Sequence, residues 1–423
     1  MAAKLRTTPL LVVLLLALAS ALAVWLYNRE PTPPTPHLAD LGSPPDWSRL
    51  DPYQDTITKT EFLDLLENIY TIGPAWEKVI AVTNTKAEIT TRFGDPEAPP
   101  YHLTFASRTS ESTPPRYWKS ASSLGPAPAD KPLQGLRIAL DPGHIGGQYA
   151  RMEERWFQLG EDTKPVMEGE MTLLTARHLK TRLESLGATV DLLRNANAPV
   201  TTKSVEEFET YARENLGKST PHEVRSLAER LFYRTAEIRA RADIVNQKTR
   251  PDLVLCLHFN AEGWGNPLEP QLSPRNHFHV LLNGAYTAGE VTHDDERFEM
   301  LLKIAQRIHP EEKAIATGLI SAFQEVTTLP PYEYEPLSLR AINIDHNPYL
   351  WARNLLANRL YECPVLFLEP YVMNSEEVFA RVQAGDYDGQ QEVNGVQRLS
   401  IYQEYAHAVA LGLERYYRQH RAP

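Results

Sequence analysis

The sequence predicts an α/β protein with a mostly parallel, twisted sheet and helices on both faces, preceded by a membrane-spanning or signal helix and a small α+β segment. Three observations carry that reading. From residue 136 onward, short apolar runs alternate with amphipathic stretches, the pattern of strands joined by crossover helices. Residues 51–106 hold a shorter mixture of one helical and three strand-like patterns. An unbroken apolar run fills residues 9–27 behind Lys4 and Arg6.

The amino-terminal run is long enough to cross a bilayer, and the basic residues before it would stay in the cytoplasm. Ala21 and Ala23 resemble a cleavage site. Val24, Trp25, Leu26 and Tyr27 carry the apolar core past it, which favours an uncleaved anchor over a removed signal. Residues 1–28 are therefore expected to export the chain to the cell envelope, and a proline-rich linker, 29–50, reads as an extended stalk. Residues 51–106 form an accessory segment, with a helix in TKTEFLDLLENIY and strands in VIAVTN, AEITTRF and YHLTFA. Residues 107–132, rich in Ser, Pro and Ala, suit a second linker before the main domain over 133–423.

In that last region the expected strands are LRIALD, ATVDLLR, DLVLCLH, HFHVLLN and PVLFLE. The expected helices lie near 171–186, 221–246, 297–328, 348–361 and 400–417. Leu179, Leu183 and Leu186 fall on one stripe with Lys180, Arg182 and Glu184 off it, as a helix covering a sheet requires.

Composition narrows the function. A formal charge of −11 without a basic stripe argues against nucleic acid as a partner. The two cysteines, Cys256 and Cys363, sit in apolar runs and read as buried thiols, so a metal would be held by His and carboxylate. Ligand-binding groups in such sheets gather beyond the carboxyl ends of strands, and three polar residues stand there. His144 follows LRIALD, His258 ends DLVLCLH, and Glu369 ends PVLFLE. His144 lies in DPGHIGG, whose glycines allow a tight turn that Asp141 could orient. His258 ends an apolar strand just before Asn260, where an ionisable group is costly without a partner. Two imidazoles and a carboxylate are the donors of a hydrolytic zinc ion.

Over residues 136–417 the sequence resembles the zinc-dependent N-acetylmuramoyl-L-alanine amidases of the α/β type. The resemblance rests on four blocks, LDPGHIGG, EGEMTLLTA, LCLHFNAEG and PVLFLEPYVMN. It implies zinc held by His144, Glu168 and His258, with Glu369 as general base for water attacking the amide between N-acetylmuramic acid and L-alanine of peptidoglycan. Asp141 and Asn260 would support the ligands or the substrate, and a protein regulator would be unsurprising. Glu170, or Glu153 and Glu154, are the alternative carboxylates. The chain departs from the family pattern at Ile145, which interrupts His-Gly-Gly, and at Gln148. The loop before Glu168 is long, and insertions stand near 205–225 and 264–276, where a lid over the cleft could form. The same donors would serve a zinc peptidase or another amide hydrolase of the envelope. A wall-binding or regulatory protein without turnover is the alternative from another class. His277, His279 and His346 are read as structural.

Overall fold

The computed structural model describes residues 35–108, 114–266, 269–335 and 340–421. The apolar run at 9–27 lies outside them, and no helix among the described residues is long and apolar enough to cross a membrane. Strands β1 (Ile80–Val82), β2 (Lys86–Ile89) and β3 (Tyr101–Thr104) form an antiparallel sheet beside the helix Lys59–Leu65. That helix starts at a capping box in which Thr58 and Glu61 satisfy each other's backbone donors.

The following strands are β4 (Arg137–Pro142), the short hairpin β5 (Trp156–Phe157) and β6 (Val166–Met167), β7 (Thr189–Leu192) and β8 (Leu253–Leu257). They continue with β9 (Phe278–Leu282), β10 (Ile342–Asn343), β11 (Leu350–Ala352) and β12 (Val365–Pro370). Seven of them make one sheet in the order β10-β11-β9-β12-β8-β4-β7. It is mostly parallel: β7, β4, β8 and β12 run together, whereas β9 enters antiparallel to β12.

Alternation along these strands serves two faces. Ile138, Leu140, Leu253, Leu255, Leu257, Leu366 and Leu368 belong to the large core, which includes apolar residues of helices Glu168–Ser185, Ile308–Thr327 and Ile401–His420. Ala139, Val254, Cys256 and Val365 meet Ala242, Val245, Ala357 and Tyr361 on the other side. All five residues of β8 are fully buried, which is why it reads as a continuous apolar run. Each such aliphatic side chain contributes about 1.5–3 kcal/mol.

The helix expected over 348–361 is instead strand β11 followed by a short helix, Leu356–Leu360. A brief apolar stretch is ambiguous in period, and the open edge of β9 decides it: the Val280 amide donates to the Tyr349 carbonyl (2.8 Å) and the Arg353 amide to that of Leu282 (2.9 Å). The amphipathic stretch at 297–328 is two helices, Asp294–Ala305 and Ile308–Thr327, separated at Arg307, whose φ is +54°. Both cysteines are buried free thiols.

Residues 51–106 share the large core with the sheet, through Phe62, Leu66, Tyr70 and Leu103 among others. Backbone bonds join the two directly, from the Tyr286 amide to the Tyr70 carbonyl (2.7 Å) and from the Ile72 amide to that of Tyr286 (3.0 Å). In the Ser/Pro/Ala-rich stretch, Trp118 is buried and its indole donates to Gln306 (3.2 Å).

One buried acid gives the stability a pH dependence. Glu312 is fully enclosed, accepts the Val365 amide (2.9 Å), and is pushed up to about 7 by burial, which Lys303 and that amide only partly oppose. A folded-state value above the ordinary 4.5 means that its contribution is complete below about 4.5 and is lost as pH rises through about 7. Denaturant unfolding should therefore show Glu312→Gln gaining on the native chain by roughly 1–3 kcal/mol between pH 5 and pH 8. Parallel curves would show that Glu312 does not titrate in this window.

Candidate metal centre

Parallel strands deliver their next residues to one edge of a sheet. Pro142 of β4 lies opposite Leu257 of β8, which lies opposite Leu368 of β12. His144, His258 and Glu369 therefore reach the rim at similar height. Glu168 comes from the first turn of the helix Glu168–Ser185 and is 1% exposed. Ligand atoms of His144, Glu168 and His258 all lie within 4.8 Å of one another.

The Glu168 carboxylate is the hub. Its Oε2 stands 3.1 Å from His144 Nε2, and its Oε1 is 2.9 Å from His258 Nδ1 and accepts the Phe259 amide at 3.1 Å. Phe367 stacks on the His258 ring at 4.1 Å, which fixes the ring plane. His144 has φ +58°, a left-handed conformation that costs about 1–3 kcal/mol for a residue with a side chain and is typical of functional sites.

The glycine before it has a steric reason. A Cβ at Gly143 would fall 2.3 Å from the His258 ring. Gly143→Ala should displace that imidazole and weaken metal binding by about 10-fold or more in a competitive chelator titration, while Gly125→Ala, in open space, should leave it unchanged. Equal affinities in both variants would mean that the ring does not hold the metal.

Of the alternative carboxylates, Glu153 lies behind His144. It accepts the amides of Ile145 (2.8 Å) and Gly146 (3.0 Å) and stands 3.5 Å from His144 Nδ1. Glu154 is exposed, and Glu170 turns away to accept the Asn197 side chain at 3.0 Å. Asp141 is buried outside the cluster, with Arg241 at 2.7 Å and the Tyr361 hydroxyl at 2.6 Å. Asn260 also stays outside: its side chain accepts the Ala261 amide (2.7 Å) and its backbone pairs with Tyr371 and Met373. His277 and His279 pack against Tyr332 and are not among the three donors, although His279 lies opposite Glu369 in the register of β9 and β12.

Four arginines that the sequence does not single out, Arg155, Arg234, Arg241 and Arg353, line the same cavity of about 300 Å³, with His144, His258 and Glu369. Arg155 Nε bonds Glu168 Oε2 at 3.0 Å. Arg353 follows β11 and lines the same cavity. Neither Arg155 nor Arg353 sits in a periodic element, so no pattern marks them.

The side chains polarise one another. Burial would raise the Glu168 carboxyl, but the two imidazoles hold it well below the usual range. Burial works against a charged His144, yet Glu168 and Glu153 lift it to about 9. Burial lowers His258 despite Glu168. Glu369 is pushed up to about 8, by burial first and then by the charge of Glu168, with Arg155, His144 and Arg353 opposing. Two imidazoles and one carboxylate, joined at one rim and open to a cavity, fit the donor set of a hydrolytic zinc ion.

No family model and no curated protein sequence matches the chain. Among solved structures it is similar to the CwlD amidase from Clostridioides difficile, seen in complex with the GerS lipoprotein, at 14% identity, covering 67% of this chain and 98% of that one with a TM-score of 0.37. It is also similar to the N-acetylmuramyl-L-alanine amidase Ami1 from Mycobacterium smegmatis, at 14% identity, 68% and 99% coverage and a TM-score of 0.38. A third neighbour is the catalytic domain of CwlV, an N-acetylmuramoyl-L-alanine amidase from Bacillus (Paenibacillus) polymyxa var. colistinus, at 14% identity, 66% and 97% coverage and a TM-score of 0.37.

Proposed function

We propose that this chain is a zinc-dependent amidase of the cell envelope that hydrolyses the amide between N-acetylmuramic acid and L-alanine in peptidoglycan. The observation that supports it most is the convergence of His144, Glu168 and His258 from two strand ends and one helix start, with Glu369 beside them. The apolar run at 9–27 behind Lys4 and Arg6 supports export and anchoring of the chain to the membrane that faces this substrate.

His144, Glu168 and His258 would hold the ion. Zinc, when bound, supplies the Lewis acidity that activates water and polarises a carbonyl. Glu369, which lines the same cavity as His144 and His258, would accept the proton of the attacking water as a carboxylate and return it to the departing alanine nitrogen. Gly143 lets the His258 ring approach, and Glu153 fixes the loop around His144 through the Ile145 and Gly146 amides. Arg155 and Arg353 add positive charge around the cavity without entering the donor set.

Digestion of purified peptidoglycan by the zinc-loaded protein should release stem peptides with a free L-alanine amino terminus and leave intact glycan strands. Peptide-bond products in place of those stems would indicate a zinc peptidase, and no products at all would favour a wall-binding protein.

A further inference from the structure

We propose that the groove between Trp156 and Trp264 is the binding site for the glycan strand, so that the sugar carrying the scissile side chain lies on this side of the metal cluster. This rests on the amidase reading and assigns the substrate moiety that the groove takes. The groove encloses about 820 Å³ and is walled by Arg151, Arg155, Trp156, Glu161, Glu262 and Trp264. That volume is in the range of small-molecule sites. It adjoins the metal cavity: Arg155 lines both and bonds Glu168 at 3.0 Å.

Its walls come from the two stretches the sequence sets apart, the long loop before Glu168 and the insertion after His258. Both are braced. Phe157, fully buried, backs Trp264 at 5.5 Å and meets Phe379 at 6.1 Å. The hairpin is clipped to the helix Glu376–Ala384 by Lys164 and Gln383, which exchange three bonds of 2.7–3.0 Å. The Gln271 amide closes the other loop onto the Trp264 carbonyl at 3.0 Å, and the Arg151 guanidinium backs Trp156 at 3.7 Å. The indoles are thus placed before any ligand arrives, which lowers the cost of binding.

A pyranose has a flat C–H face and a rim of hydroxyl and acetamido groups. Indole rings with carboxylates, guanidinium groups and Gln158 around them answer both halves of that surface. Glu154, Glu161 and Glu262 outnumber Arg151 and Arg155 in the groove, so an acidic stem peptide gains no net attraction there. The metal cavity, but not the groove, is lined by Arg353 with Leu355 and Leu356, a cation among aliphatic groups that suits a peptide acid. The scissile amide then lies between the two arms.

The test titrates the zinc-loaded full chain, by tryptophan fluorescence, with a tetramer of N-acetylglucosamine and with free stem tetrapeptide. Saturable binding of the tetramer, weakened about 10-fold or more by Trp264→Ala and less by Glu161→Gln, with peptide binding unchanged, is the expected result. Folding of each variant is read from its melting curve, and Glu161→Gln keeps the test valid if Trp264→Ala fails to fold. In turnover, Trp264→Ala should raise KM for the polymer while leaving cleavage of a lactyl-peptide without sugar intact. Absence of tetramer binding, equal binding by both variants, or loss of peptide binding in Trp264→Ala would overturn the assignment. Tetramer binding that fails in the variants, in a protein that releases no stem peptides, would uphold the groove and overturn the amidase reading.

Discussion

Replacing Glu369 with Gln lowers turnover by about 10²–10⁴-fold and leaves zinc stoichiometric, which is the expected signature of a proton-transfer group that is not a ligand. Gln keeps the shape and polarity of the side chain, so β12 should pair with β8 and β9 as before. What it loses is the carboxyl that burial and Glu168 lift to about 8. Parallel assays of kcat and of metal content decide the matter. A fall in zinc content would make Glu369 a ligand, and an unchanged kcat would remove it from the reaction.

Arg241→Met should destabilise the protein by about 3–5 kcal/mol in denaturant unfolding, because it strands buried charges. Arg241 is 3% exposed and bonds Glu237 Oε1 (2.9 Å), Asp141 Oδ1 (2.7 Å) and the carbonyls of Pro142 (2.9 Å) and His144 (3.1 Å). Burial disfavours its charge, but Asp141 and Glu237 more than restore it. Glu237 in turn accepts the amides of Val200 and Thr201, at 2.8 and 2.9 Å. The guanidinium thus ties the turn carrying His144 to the helix behind it. Zinc affinity should therefore fall by about 10–100-fold in the same variant, and Arg241→Lys, with the charge but not the planar fork, should recover only part of either loss. A destabilisation below about 1 kcal/mol would show that this network does not hold the site.

The centre of the sheet was legible because strands such as β8 and β9 are buried on both faces. Leu253 to Leu257 admits no polar residue, so the positions where polarity resumes, His258 and Glu369, marked the rim at which the candidate metal centre stands. Gly143 was legible as a turn glycine, but its reason, contact with a ring 115 residues along the chain, was not. Strand β11 was hidden because three residues of an edge strand carry no decisive period, and the antiparallel entry of β9 depends on which neighbour its edge finds. Glu237 and Arg241, four apart in a helix, look like a surface ion pair, and only their burial shows that they face Asp141. Arg155 and Arg353 flank short strands, so their approach to the cavity follows from tertiary structure alone.

Zinc K-edge absorption on the purified protein, with metal content measured alongside, addresses the metal centre most directly. One zinc per chain with imidazole and carboxylate scattering, lost in His258→Ala and in Glu168→Gln, is the predicted result. Retention of the same ion with the same spectrum in both variants, or failure of the native chain to take up zinc, would contradict it.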